Sequence, residues 1–460
     1  MTEKIVIIGN GPAGLSAAGA ARIKNRVADI TVIDTKAYDT FHPCAMPFVI
    51  GGYLPSVDSI IENIRYEMMK IKLHKSSVVE DVDLKEKIVK VKPETGEEFT
   101  LEYDKLILCT GSSVFVPPIP GRNLGNVFRL KFAEDADAIK KAADNKDVKN
   151  TVVVGGSAIG IEVASELAHL GKKVTIIEMQ PQLMPFKISK GFAVTVKKNL
   201  EGTGIIVETG MLVKEIIGKD AVQSVKFGND SLDEAIDTEL VVLATGVRAN
   251  IELASKIDLK ISEKYRAIEV NDKMETSING VYAAGDCIVT NNLITNSANL
   301  AQLAGPATRQ GRVAGINAAG GNASYPGNVN SFIVSSRTFY IGLAGINEEH
   351  AKELEIETVT AKLSAPIRPH YMPTSKDITL KLIAKADDGK ILGLEAIGEE
   401  KVDVNVNYIA MAIHTGLTAY DLMDIDFCYA PAVSETIYPL VKVADSIIRK
   451  IERKKAKAQK

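Results

Sequence analysis

Residues 4 to 24, KIVIIGNGPAGLSAAGAARIK, leave this chain few ways to fold at its start. A short β-branched apolar run that stops in glycines at G-x-G-x-x-G spacing reads as a buried strand, a tight turn and a helix. Gly9 makes the turn, Gly11 lets the backbone approach a pyrophosphate, and Gly14 lets helix and strand pack closely. Pro12 and Ala13 fall in the loop, before the small-residue helix LSAAGAARI. A second apolar strand, DITVID, ends in Asp34, placed to accept the ribose hydroxyls of an adenosine. The run is interrupted by glycines and Pro12 and carries no cleavage pattern, so it does not read as an export signal, and the cytoplasm is the expected compartment.

The same pattern returns at TVVVGGSAIGIEVASELAHLGKKVTIIE, which predicts a second dinucleotide. Gly155 and Gly160 flank the loop, while Ser157 takes the place of the middle glycine, so binding should persist, somewhat weakened. The closing acid is Glu178, and no lysine or arginine follows before Lys187. A carboxylate repels a 2′-phosphate, which favours NADH and leaves NADPH as second choice. Two apolar strands ending in Thr-Gly, LILCTGSS (Thr110, Gly111) and VVLATGVRAN (Gly246), bracket this unit, and GVYAAGDC brings Asp286 to the end of another strand.

With 460 residues the chain is long enough for two or three domains. Its net charge of −3 gives no electrostatic case for nucleic acid, and no segment reads as a membrane span. The four cysteines, Cys44, Cys109, Cys287 and Cys428, are far apart, so there is no redox pair, no zinc spacing and no disulfide framework. No metal site is expected. Cys109 and Cys287 lie within strands and read as small core thiols.

By these motifs the chain resembles the two-dinucleotide flavoproteins of the pyridine nucleotide-disulfide oxidoreductase family, over essentially its whole length. The resemblance implies an α/β protein with two Rossmann-like domains and a C-terminal α+β dimerisation domain. An FAD domain (1–117 and 250–325) would be split by an inserted NAD(P) domain (118–249), followed by the interface domain of a homodimer (326–448) and a basic tail (449–460). FAD would be held by the first glycine loop, Asp34, Thr110, Gly111, Asp286 and Ala307. NADH would be held by Gly155, Ser157, Ile159, Gly160, Glu178 and Gly246.

The cysteine spacing excludes the dithiol members and leaves the single-cysteine branch: CoA-disulfide reductases, NADH oxidases and peroxidases, and NAD(P)H sulfur reductases. Their cysteine lies about ten residues beyond the ribose acid in a SFxxCxxPyxIgg setting, and Cys44 follows Asp34 by ten in TFHPCAMPFVIGG. The C-A-x-P core is most similar to CoA-disulfide reductases. Peroxidases carry a histidine in the first loop where this chain has Pro12, which disfavours peroxide chemistry. RPHYMP and YAPAVSETIYP resemble C-terminal segments whose tyrosines reach the partner subunit's cysteine. By that resemblance Tyr429 is the first candidate to protonate a leaving thiolate and Tyr371 the second, each with an interface role as its alternative.

The implied activity is NAD(P)H-driven reduction of a low-molecular-weight disulfide, persulfide or polysulfide through Cys44. The alternatives are an NADH oxidase working through a cysteine sulfenate, or an electron-transfer flavoprotein serving a small redox protein. Attack on a disulfide needs a thiolate, so the Cys44 pKa should fall from about 8.5 toward neutrality. A helix beginning near Cys44, with Pro43 in its first turn, would contribute roughly 0.3 to 2 kcal/mol toward that. His42 is a candidate second influence, if charged and near; its alternative is a ring facing solvent or substrate. For CoA disulfide, Arg22, Lys24 and Arg65 are the cations proposed for its phosphates. Thr40 and Pro43, where the family usually has serine and asparagine, depart from the CoA pattern.

Overall fold

A computed structural model gives the fold, and residues 2–458 are described. The opening run is the central strand of a five-stranded parallel sheet, ordered Val281–Ala283, Lys105–Leu108, Lys4–Ile8, Asp29–Ile33, Ile71–His74. Ile5, Ile7, Ile30, Leu106 and Ile107 are wholly buried, as β-branched runs covered on both faces require. One strand of this sheet comes from beyond residue 280, so the unit is assembled from two separated parts of the chain.

Helix Ala304–Ala318 belongs to the same unit and lies against helix Pro12–Lys24. A Cβ added to Gly311 or Gly315 would sit 2.0 or 2.1 Å from the carbonyl oxygens of Ala13 and Ala17, so these glycines permit the approach.

A second five-stranded parallel sheet runs Val127–Arg129, Leu240–Leu243, Asn150–Val154, Lys173–Glu178, Ile206–Thr209. Each unit adds a three-stranded antiparallel meander, at residues 77–102 in the first and 212–237 in the second. The two connections between the units pair with one another: Ser112–Val114 runs antiparallel to Val247–Ala249. Thr110 and Asn250 lock this tether, each donating a 2.8 Å side-chain hydrogen bond to the other's carbonyl.

The third unit is a five-stranded antiparallel sheet, ordered Phe332–Ser335, Tyr340–Gly345, Ile391–Gly398, Asp377–Lys385, Thr358–Pro366, covered by helices Val402–Thr415 and Pro439–Ala458. The last helix continues past residue 448 with Ile451 buried, so the basic run is the solvent side of a packed helix through Ala458. Only residues 459 and 460 of that run lie outside the described part. No described helix is long and apolar enough to cross a membrane.

One packing feature positions the site. Met46, Val49 and Ile50, just after Cys44, share a core with Ile139, Ile161 and Leu167 of the second unit and with Val334 and Ile341 of the third. The cysteine segment therefore belongs to the first unit by sequence and to the junction of all three by packing.

Candidate active site around Cys44

The first glycine loop shows three distinct constraints. Gly9 has φ +102°, and a Cβ there would lie 2.1 Å from the Cys109 carbonyl oxygen. A Cβ at Gly14 would lie 1.9 Å from the Gly9 oxygen, whereas one at Gly11 meets nothing within 4 Å. The protein thus closes two positions and leaves the third open, as a cradle for a pyrophosphate requires. Pro12 occupies the first turn of the helix and Ala13 is buried beside it.

Asp34 is buried; its carboxylate accepts the Asn10 N–H, accepts the Lys36 N–H at 2.8 Å and pairs with Lys36 Nζ at 2.6 Å. Asp286 accepts the Ser112 hydroxyl at 2.8 Å, and Lys131 Nζ reaches the same hydroxyl at 3.0 Å. Gly111 has φ +68°, and Ala307 is buried in the helix that closes on Ala13.

The second loop repeats this plan. Cβ atoms at Gly155 and Gly160 would lie 2.3 Å from the Ala244 oxygen and 2.0 Å from the Gly155 oxygen. Ser157 caps helix Ala158–His169 by position, with its side chain exposed and making no capping bond. Its hydroxymethyl group therefore stands where the first loop is open. Ile159 is 40% exposed, and Gly246 is open on the side a Cβ would occupy. Glu178 is buried and accepts the Gly156 and Gln180 N–H groups, both at 2.7 Å.

Cys44 lies in a 3₁₀ turn, Pro43–Ala45, that leads into helix Met46–Ile50, with Pro43 at the first position. Cys44 is exposed at the surface, with protein around part of its thiol. The protein's own groups push this thiol up rather than down: burial first, then the charges of Glu162 and Asp286. The expected lowering by a helix end does not prevail, because burial and, after it, two carboxylates oppose it.

His42 Nε2 lies 2.9 Å from Glu62, and both side chains are exposed. Cys109 and Cys287 are buried, and burial raises both thiols. Cys287 Sγ donates to the Ala284 carbonyl at 3.4 Å, consistent with a packed core thiol.

The model of the family described as "Pyridine nucleotide-disulphide oxidoreductase" matches residues 3–311, and that of its dimerisation domain matches residues 333–440. The chain is a pyridine nucleotide-disulphide oxidoreductase. It is 37% identical over 454 residues to a protein of Methanocaldococcus jannaschii named NADH oxidase, covering 98% of this chain and 100% of that one. It is 32% identical over 447 residues to a Pyrococcus horikoshii protein named NAD(P)H coenzyme A polysulfide/persulfide reductase, covering 96% and 98%. The solved NAD-dependent persulfide reductase from A. fulgidus superimposes with a TM-score of 0.93 at 33% identity, over 98% of this chain and 84% of that one. The α/β architecture is that of the family, and membership implies FAD and NAD(P)H as cofactors.

In this oxidoreductase the two C-terminal tyrosine segments are held together by Arg368. Its guanidinium donates to the Ala432 and Thr374 carbonyls, both at 2.9 Å, and pairs with Glu400. RPHYMP is thereby strapped to YAPAV, and the Tyr371 hydroxyl pairs with that of Tyr429, which raises the Tyr371 pKa. The two phenols are 61% and 46% exposed, available to a second subunit.

Of the cations proposed for CoA phosphates, Arg22 is committed elsewhere: it donates to the Met69, Lys70, Asn25 and Arg26 carbonyls. Arg65 reaches only Met68 Sδ, at 3.8 Å, among the hydrogen bonds of the described residues, and Lys24 is exposed.

Four site residues escape sequence reasoning: Lys131, Glu162, Glu166 and Arg337. Glu162 and Glu166 are one helical turn apart on Ala158–His169, and two acids on a mostly apolar helix were the available signal. Glu166 is 3% exposed and pairs with Arg337 at 2.6 Å; a Cβ on Gly51 would fall 1.7 Å from its Oε2. Glu162 is half-buried, accepts the Ser335 N–H at 3.2 Å, and is pushed from 4.5 up to about 7, by burial first and by Glu166 second.

This shift makes a stability prediction. The folded chain keeps the Glu162 proton between pH 4.5 and about 7 while the unfolded chain loses it, so stability falls as pH rises through that window. The loss amounts to at most about 3 kcal/mol. Thermal melts at pH 5 and pH 8 should show a smaller drop for Glu162→Gln than for the wild type; equal drops would contradict the assignment.

Proposed function

We propose that this oxidoreductase uses NADH to reduce a low-molecular-weight disulfide, persulfide or polysulfide through Cys44, as a cytoplasmic homodimer. The observation that carries the reading is Cys44 itself, an exposed thiol whose segment packs at the junction of the three units, with Cys109 and Cys287 buried as core thiols. The similarity to proteins named persulfide and polysulfide reductases supports it.

FAD would be held by the first glycine loop, Asp34 and the Ser112–Asp286 pair, and NADH by the second loop and Glu178. When bound, they supply two electrons to the sulfur. Glu178, fixed by two backbone donors and carrying a negative charge, favours NADH over NADPH.

The Cys44 thiolate attacks one sulfur of the substrate, forming a mixed disulfide and releasing the other half as a thiolate that takes a proton. Two electrons then cleave the mixed disulfide, a second proton goes to the departing thiol, and Cys44 is left as thiolate. Tyr429, paired with Tyr371 and reaching across a dimer interface, is the donor proposed for that proton.

An acceptor panel tests the function. Purified enzyme with NADH is offered CoA disulfide, polysulfide, oxygen and a small redox protein, and then NADPH in place of NADH. Turnover should be highest with a sulfur acceptor and with NADH. Faster turnover with oxygen than with any sulfur compound would instead support the NADH oxidase reading, which the M. jannaschii relative's name favours.

A further inference from the structure

Asn10 stands between Gly9 and Gly11 in the first glycine loop, and its side chain is spent inside the protein. The residue is wholly buried. Its backbone N–H donates to the Asp34 carboxylate, its Nδ2 donates to the Asp39 carbonyl at 2.5 Å, and its Oδ1 accepts the Tyr66 hydroxyl at 2.6 Å. A residue that served only the turn from strand to helix would need neither side-chain bond. Tyr66 is buried as well, and burial pushes its hydroxyl up to about 12, so it stays a donor at any working pH.

From Asp39 the chain runs directly to the cysteine. The Asp39 carboxylate accepts the Ile64 N–H at 2.9 Å and pairs with Lys75 at 3.0 Å. Thr40 and Phe41 then run antiparallel to Ile61–Glu62. The His42 N–H donates to the Ile60 carbonyl at 2.9 Å, the Ala45 N–H donates to the His42 carbonyl at 3.0 Å, and Cys44 lies inside this last turn. Residues 60–66 thus line the cysteine segment along one side, with the Tyr66 N–H donating to the Ile64 carbonyl at 2.8 Å. Asn10 bonds both limbs of this pair, one through Asp39 and the other through Tyr66.

We propose that Asn10, with Tyr66 as its partner, couples the first glycine loop to the cysteine segment, so that filling the loop also fixes Cys44. This rests on Cys44 being the redox thiol of the proposed function, and it names two residues which that function does not use. A pyrophosphate on the open side of Gly11 holds residues 9–11 in place. Through the Asn10 side chain the constraint passes to the Asp39 carbonyl and the Tyr66 hydroxyl, and from these to the turn that carries Cys44. Such a coupling is reciprocal, so a loosened cysteine segment also weakens the hold on FAD. Asn10 and Tyr66 are positioning residues, acting on Cys44 through the chain between them.

The test uses FAD-loaded Asn10→Ala and Tyr66→Phe, the second of which removes one hydroxyl and leaves the ring packed. The FAD dissociation constant is read from flavin fluorescence on dilution, and hydrogen exchange of residues 40–45 is read at saturating FAD. Tyr66→Phe, with one bond lost, should raise the dissociation constant and the exchange rate about fivefold each, and Asn10→Ala, with two lost, should raise both further. Faster exchange should be confined to residues 39–45 and 60–66. At saturating FAD, with whichever acceptor turns over fastest, kcat should fall while KM for NADH holds, because the second loop is untouched. Unchanged FAD affinity, unchanged exchange at 40–45, exchange raised equally in the second unit, or an unchanged kcat would each overturn the proposal. If Asn10→Ala does not fold, Tyr66→Phe alone decides. Exchange needs no acceptor, so a failure here is distinguishable from a failure of the proposed activity, which the acceptor panel reads.

Discussion

Replacing Cys44 with serine is expected to lower NADH-driven reduction of disulfides and polysulfides by about 10³-fold or more. A serine hydroxyl has no disulfide chemistry, and no nearby thiol can take its place: Cys109 and Cys287 are buried with raised pKa values. Flavin content should be unchanged, because the first glycine loop, Asp34 and Asp286 do not depend on the sulfur. Cys428→Ser is the matched control, an exposed thiol on the third unit, and should keep its activity. Steady-state rates with CoA disulfide and with polysulfide check both variants. Comparable rates for Cys44→Ser and wild type would mean that electrons reach the acceptor without passing through this thiol, as in the electron-transfer alternative.

The largest stability effect should come from Arg337→Ala. Glu166 is 3% exposed and the Arg337 guanidinium, 26% exposed, is 2.6 Å from it, so removing the arginine leaves a buried carboxylate without a cation. Breaking such a pair costs about 3 kcal/mol, the lower end of the usual range because one partner is partly solvated. The damage should be local as well as global. Glu166 packs on Gly51 at the end of the cysteine helix, and Arg337 belongs to the third unit, so the pair ties that helix to its two neighbours. Hydrogen exchange should show faster opening of residues 46–51 in Arg337→Ala, and a double change to Arg337→Met and Glu166→Met should recover much of the lost stability. Unchanged exchange in the single variant would remove this tie from the account.

Much of the fold was legible because its constraints are local. Gly9, Gly14, Gly155 and Gly160 each stand where a Cβ would strike a backbone oxygen, and that demand is written into a short motif. The Thr-Gly strands were legible for a different local reason, since Gly111 and Gly246 both hold a positive φ, +68° and +95°, and the pairing of Ser112–Val114 with Val247–Ala249 shows why they recur around the second unit. The electrostatics of Cys44 were not legible. Local reasoning saw a helix start and His42, but the sulfur is raised by burial first and then by Glu162 and Asp286, far away in sequence. The CoA cations fared likewise: Arg22 looked free in sequence and proves to be satisfied by carbonyls from a distant turn. The basic run at the end was visible as charge, while the buried Ile451 that keeps it helical was hidden by its charged neighbours.

The most direct test of the central claim is the mass of the Cys44 peptide, trapped by acid quench while the enzyme turns over with limiting NADH and excess CoA disulfide. The account predicts a mixed disulfide on Cys44, its mass increased by one CoA half, that disappears when NADH is in excess. An unmodified Cys44 throughout turnover, or a sulfenic acid that forms only when oxygen is present, would contradict it.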